Sequence, residues 1–226
     1  MASDDNARQS TRTLTQPWVL KMLGWFALAC CVFVAATDLI LGFFLQKDYS
    51  PISDTISDLA AGGRYAIWQD FAMEAFAIAV VLTGIGLLLA RRSGARWIAG
   101  AAAMILTGVL VFFIARWDEY GDLDEGGWVL HYRMVYLMAA LVPASLLLLR
   151  RDIARRSDHD RAIRIVFVAL AALWVLGAPI FYLMDTAFDG LVERALAAVM
   201  LVWIATCARS LTKERQLDDD GGTSPL

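Results

Sequence analysis

Residues 67–96 read IWQDFAMEAFAIAVVLTGIGLLLARRSGAR. From Ile67 to Ala90 the run is predominantly apolar, with Asp70 and Glu74 in its first turns, and it is long enough to cross a hydrocarbon core that needs about 20 residues. It stops on Arg91-Arg92-Ser93-Gly94-Ala95-Arg96, and a second apolar run starts at Trp97. A span, a short basic turn and a returning span make a helical hairpin in a bilayer, where only backbone with internally closed hydrogen bonds can face lipid. The arginines place the turn on the cytoplasmic side.

Working outward, further apolar runs give spans at about residues 19–44, 67–90, 97–115, 128–149, 165–184 and 191–208. The composition agrees. Of 226 residues, 59% are hydrophobic and 19% charged, with mean hydropathy +0.56, which is too apolar for an ordinary soluble domain and right for a small polytopic membrane protein. The expected fold is all-α: a bundle of six transmembrane helices over residues 19–208. Polar tails over 1–18 and 209–226 are expected to be disordered and cytoplasmic. Cys30, Cys31 and Cys207 have neither disulfide nor metal-ligand spacing and read as buried small hydrophobes.

Charge sets the orientation. Of the 20 Lys and Arg residues, 15 fall in segments 1–21, 91–96, 150–164 and 209–226, which puts both termini on the cytoplasmic face of the cell (inner) membrane. The acids gather on the opposite side, leaving it at −9 against +6. There the first connector, Tyr49-Ser50-Pro51-Ile52-Ser53-Asp54-Thr55-Ile56-Ser57-Asp58-Leu59-Ala60-Ala61-Gly62-Gly63, is more than a turn. It predicts a short amphipathic helix capped by Ser53 or Asp54, with Ile52, Ile56, Leu59 and Ala60 toward the bilayer or bundle, and ended by Gly62-Gly63.

A charge at the centre of a bilayer helix costs about 2.5–3.5 kcal/mol on insertion scales, so such groups face a partner or a wet cavity. Here they share the outer depth: Asp38 in span one, Asp70 and Glu74 in span two, His131 and Arg133 in span four, Glu193 and Arg194 in span six. Asp70 and Glu74, four apart, lie on one helix face, and if that face points inward a carboxylate on it stays charged only by pairing with Arg133 or Arg194. A purely structural reading stands beside this one, since acids at helix N-termini favour the macrodipole and interfacial cations snorkel.

Three motifs resemble the bacterial and archaeal DUF998 family of small multi-helix membrane proteins. They are Tyr49-Ser50-Pro51 with Thr55-Ile56-Ser57-Asp58-Leu59, Gly127 with Leu130-His131, and Gly190-Leu191-Val192-Glu193-Arg194, each at the mouth of a span. The likeness covers about residues 19–210. It implies a polar signature on Ser57, Asp58, His131, Glu193 and Arg194. The outer loop Asp118–Gly127 departs from the Pro- and Cys-containing segment the resemblance leads one to expect. The family name denotes unknown function, so the likeness bears on fold and site placement more than on mechanism.

Three functions compete. In the first, an outward-facing polar pocket binds a lipid headgroup or small polar ligand, with Arg133 and Arg194 holding phosphate or carboxylate, Asp58 and Glu193 setting its polarity, and Asp38, Asp70 and Glu74 as further ligand-binding candidates. In the second, an intramembrane lipid-modifying hydrolase or transferase uses Ser57 as nucleophile, His131 as base and Asp58 or Glu74 as orienting acid. In the third, a proton-coupled transporter uses Asp38, Asp70 or Glu74. Against that one, no ionisable group continues into the cytoplasmic half, as at Gly84–Ala90 or Ala139–Leu149, and the halves of the chain show no internal repeat. No metal site and no cofactor are expected, since one intramembrane His without a thiolate cluster supports neither zinc nor haem. The expected partners are membrane lipids and not nucleic acid, because basic connectors beside spans reflect topology. No oligomeric state is specified.

Overall fold

The computed structural model describes residues 17–61, 64–90, 94–116, 130–155, 159–183 and 186–213. Helix α1 (Pro17–Ile40) runs into a π-helical turn (Leu41–Leu45). The short α2 (Ile56–Ala61) follows, then α3 (Ala66–Leu89), α4 (Ala95–Arg116), α5 (Leu130–Ala154), α6 (Asp160–Leu183), a 3-10 turn (Thr186–Phe188) and α7 (Asp189–Thr212). All but α2 are long and apolar enough to cross a membrane. The all-α expectation of six spans and one short helix is met, with no strand among the described residues.

The long helices close a ring. Each packs on the next, α1 on α3 and then on through α4, α5 and α6 to α7, and α7 returns to α1. Near the start of α1, Gly24 abuts Ala208 and Thr212 of α7, while Asp38 near its end pairs with Arg194 at the start of α7. The two helices are therefore antiparallel, and both leave the bundle at one end, here the terminal end. The other end, covered by α2, is the capped end.

The terminal end is solid. Leu87, Trp97, Leu149, Ile153, Phe167 and Trp203 are fully buried there in a single apolar cluster. Trp97 satisfies its indole by donating from Nε1 to the Leu87 carbonyl at 2.9 Å, and the Ser145 hydroxyl donates to the Gly100 carbonyl at 2.7 Å. Small residues set the spacing, as is usual where lipid supplies no hydrophobic drive between helices. A Cβ on Gly108 would lie 2.8 Å from the Ala77 carbonyl oxygen, so α3 and α4 meet backbone to backbone. Cys30, Cys31 and Cys207 are buried free thiols, as their spacing suggested.

Several boundaries differ from the sequence reading. Helix α5 continues to Ala154 and α6 begins at Asp160, so most of the basic connector expected over 150–164 is helical. Hydropathy marks where lipid ends, whereas Arg and Ala are good helix formers that carry a helix past it. The first span leaves α-helical geometry at Leu41, before its expected end at Phe44. At the two tails, α1 starts at Pro17 and α7 runs to Thr212, while residues 1–16 and 214–226 lie outside the described residues, as do Gly62, Gly63 and the loop Asp118–Gly127.

Candidate functional site

The capped end is built from Tyr49–Asp58. Thr55 is the N-cap of α2: its Oγ1 accepts the Asp58 backbone N–H at 3.0 Å, and Asp58 Oδ2 accepts the Thr55 N–H and hydroxyl, each at 2.8 Å. This reciprocal capping box corrects the expected cap at Ser53 or Asp54, since only Thr55 has a carboxylate three residues on. Asp54 instead closes the preceding turn. Its Oδ2 accepts the Ser50 N–H at 2.7 Å, its Oδ1 accepts the Ser53 hydroxyl at 3.0 Å, and its own N–H donates to the Ser50 carbonyl at 2.7 Å.

This cap is stapled to α1 and α7 by Arg194. Its Nε and Nη2 donate to both oxygens of Asp38, at 3.1 and 3.0 Å, in a bidentate pair whose side chains are 12% and 14% exposed. Its Nη1 donates to the carbonyls of Pro51, Asp54 and Gly190 at 2.9, 3.0 and 3.1 Å, and Nη2 also donates to the Tyr49 hydroxyl. A guanidinium has five N–H bonds, so every donor is committed. The Tyr49 hydroxyl donates in turn to the Thr55 carbonyl at 2.6 Å. Next to Arg194, the Glu193 carboxylate accepts the Ile56 N–H at the start of α2.

The loop also caps α7, because the N–H groups of Gly190 and Leu191 donate to the Ser53 and Ile52 carbonyls at 3.3 and 3.0 Å. Glycine is required here by close approach: a Cβ at 190 would overlap the Asp54 carbonyl and lie 2.9 Å from the Pro51 oxygen. Gly190→Ala is therefore expected to undock the cap while leaving the spans in place. Hydrogen exchange would show faster exchange at residues 50–60 with α3 and α4 unchanged, and uniform exchange across the chain would count against a locally stapled cap.

Burial pushes the Tyr49 phenol up from 10.0 to about 12, above an ordinary tyrosine. A raised folded pKa means its contribution to docking is fully present below pH 10 and is lost as pH rises toward 12. The absorbance difference at 295 nm between wild type and Tyr49→Phe is expected to titrate near 12. A midpoint near 10 would place the phenol in solvent.

Beneath the cap lies a cavity of about 440 Å3, bounded by α1, α2, α3, α4, α5, α6 and α7. Its deepest lining residues on α7, Met200 and Leu201, put the floor about 18 Å from that helix's start at ~1.5 Å per residue, near the middle of the helix. The walls are mostly apolar, including Val34, Phe76, Val111, Met138 and Phe181. Two polar side chains in them are orphaned. Gln69 is 0% exposed, with neither Nε2 nor Oε1 hydrogen-bonded, and Trp174 is 3% exposed, with its indole N–H unbonded among the described residues.

Of the residues the sequence singled out, Asp38, Ser57, Glu193 and Arg194 line this cavity. Asp58, Asp70, Glu74 and Arg133 are not part of its lining. Glu74 pairs at 2.6 Å with Arg116 of α4, not with the expected Arg133 or Arg194, because Arg116 ends its helix beside the first turns of α3. Arg133 is exposed. His131 stands in the first turn of α5, and its side chain lies outside the described residues. Sequence reasoning missed Gln69 and Trp174, and it quoted Tyr49 and Gly190 in motifs without giving either a role. Gln69 has a signal in the sequence, as a neutral amide inside an apolar span.

The polar motifs Tyr49-Ser50-Pro51, Thr55–Asp58 and Gly190–Arg194 thus meet in one stapled cap over one cavity. No curated protein and no solved structure matches the chain. The family of proteins of unknown function DUF998 matches over residues 22–210, from the first turns of α1 to the last of α7. With six membrane-length helices spanning that same range, the chain belongs to the DUF998 family and is a multi-pass membrane protein.

Proposed function

We propose that this protein binds an uncharged amphiphile in the capped cavity, taking an apolar chain against the walls and a small hydroxyl- or amide-bearing head against Gln69. The observation that carries the reading is the Gln69 carboxamide, at 0% exposure and without a hydrogen-bond partner among the described residues. A buried unsatisfied polar group costs about 1–3 kcal/mol, and a head that both donates and accepts would relieve both of its atoms. The location and the mostly apolar walls suit a ligand that enters from lipid.

A phosphate-bearing head fits less well. Arg194 has spent every donor on Asp38 and the cap, and Asp38 neutralises its charge. Catalysis by Ser57, His131 and Asp58 would require Asp58 to release Thr55 and uncap α2. Conduction would require a polar path through the packed terminal end, where Thr83 and Ser145 are bonded to helix carbonyls. The concentration of Lys and Arg toward the terminal end supports a cell-membrane location with both termini cytoplasmic and the cavity facing outward.

The test is the lipid that co-purifies in mild detergent, extracted and identified by mass. Wild type is expected to retain a neutral chain-bearing lipid near stoichiometry. Ala139→Phe, which puts a ring into the cavity from α5, should lose it while keeping its thermal midpoint. Equal retention by the two proteins would place the lipid elsewhere.

A further inference from the structure

We infer that a groove between α5 and α6 at the terminal end is a binding site for an anionic phospholipid with two phosphates, of the diphosphatidylglycerol type. Four guanidinium groups line it, Arg150 and Arg151 from the end of α5 and Arg161 and Arg164 from the start of α6, around a space of about 600 Å3. The rest of the lining is Ile165, Val168, Ala169 and Ala172. These recur at i, i+3, i+4 and i+7, so they form one exposed apolar stripe along α6. Arg161 lies one turn before Ile165 on that same face.

Positive-inside bias explains why arginines are at this end of the bundle. It does not explain why four converge from two helices on one groove whose described lining contains no carboxylate. The pair Arg164–Asp160, at 2.7 Å, is an exposed i,i+4 contact of the kind that yields readily to a better anion. Cations above an apolar stripe reproduce the shape of a phospholipid, with the head at the guanidinium cluster and the first part of a chain along Ile165 to Ala172. Arginine holds phosphate through paired, parallel N–H bonds, so four of them match two phosphates better than one. The stripe is what selects a lipid over a soluble anion. None of this depends on the occupant of the capped cavity, at the other end of the bundle.

The experiment is native mass spectrometry of the full chain in a neutral detergent, titrated with diphosphatidylglycerol or phosphatidylcholine. Wild type is expected to prefer the former by roughly 10-fold or more. The variants Arg150→Gln/Arg151→Gln and Arg161→Gln/Arg164→Gln should each reduce that preference, and the fourfold combination should abolish it. A control variant, Arg91→Gln/Arg92→Gln/Arg96→Gln, removes charge from another connector at this end and should keep it. Arg151, Arg161 and Arg164 are exposed and Arg150 is half-buried, and thermal midpoints without added lipid should be unchanged. Equal loss in the control would reduce the effect to general charge and overturn the site. Displacement by inorganic pyrophosphate, with no preference between the two lipids, would overturn the lipid assignment.

Discussion

Replacing Arg194 by Leu is expected to lower stability by at most about 3–5 kcal/mol, the usual cost of leaving one half of a fully buried ion pair uncompensated, since this pair is part-buried. Asp38, 14% exposed, would lose a bidentate partner, while three carbonyls and the Tyr49 hydroxyl would each lose a donor. Arg194→Lys should recover little of this. An ammonium offers three donors from one point and cannot serve both Asp38 oxygens and the cap carbonyls together. The double variant Asp38→Leu/Arg194→Leu removes the stranded charge, so its loss should be smaller than the sum of the two single losses by a coupling of about 0.5–3 kcal/mol. It should not recover wild-type stability, because the cap would still lack its staple. Thermal unfolding in detergent measures the cycle. Additive single losses would show that Asp38 and Arg194 do not act as a pair.

Gln69→Leu is expected to act in opposite directions on stability and on binding. In delipidated protein, the change swaps a fully buried amide without a partner among the described residues for an apolar group of similar size, and should stabilise by about 1–3 kcal/mol. In protein carrying its native lipid, the same change should remove the head's hydrogen bonds and weaken retention by roughly 10-fold, the equivalent of about 1.4 kcal/mol. A residue kept only for packing would not show that reversal. If Gln69→Leu destabilises the delipidated protein, its amide has a structural partner and the ligand reading loses its main support.

How much of this was legible in the sequence varies with the physics behind each feature. The spans were readable because hydrophobic length is a one-dimensional property, and Ile67–Ala90 against the observed Ala66–Leu89 shows how well it works. Helix ends were less readable at Arg150–Arg164, where propensity continues the helix beyond the lipid. Asp38 and Arg194 were each identifiable as costly groups at one depth. Their pairing across 156 positions was not, because it depends on α7 closing the ring onto α1. The same is true of Glu74, whose partner Arg116 reads from sequence as the end of a span. Thr55 could have been recognised as the cap from Asp58 three residues later, a local pattern that needs no tertiary information. Gln69 was visible as a residue but not as an orphan, since burial without a partner exists only once neighbouring helices are placed.

The most direct measurement is photolabelling of purified wild type in nanodiscs with an uncharged, hydroxyl-headed long-chain lipid bearing a diazirine on its chain, followed by peptide mapping. The expected label falls on cavity-lining Met73, Met138 and Met200, competes with the unlabelled lipid and disappears in Ala139→Phe. Label confined to lipid-facing side chains such as Leu176 and Phe44, and unchanged in Ala139→Phe, would contradict a ligand-binding cavity beneath the cap.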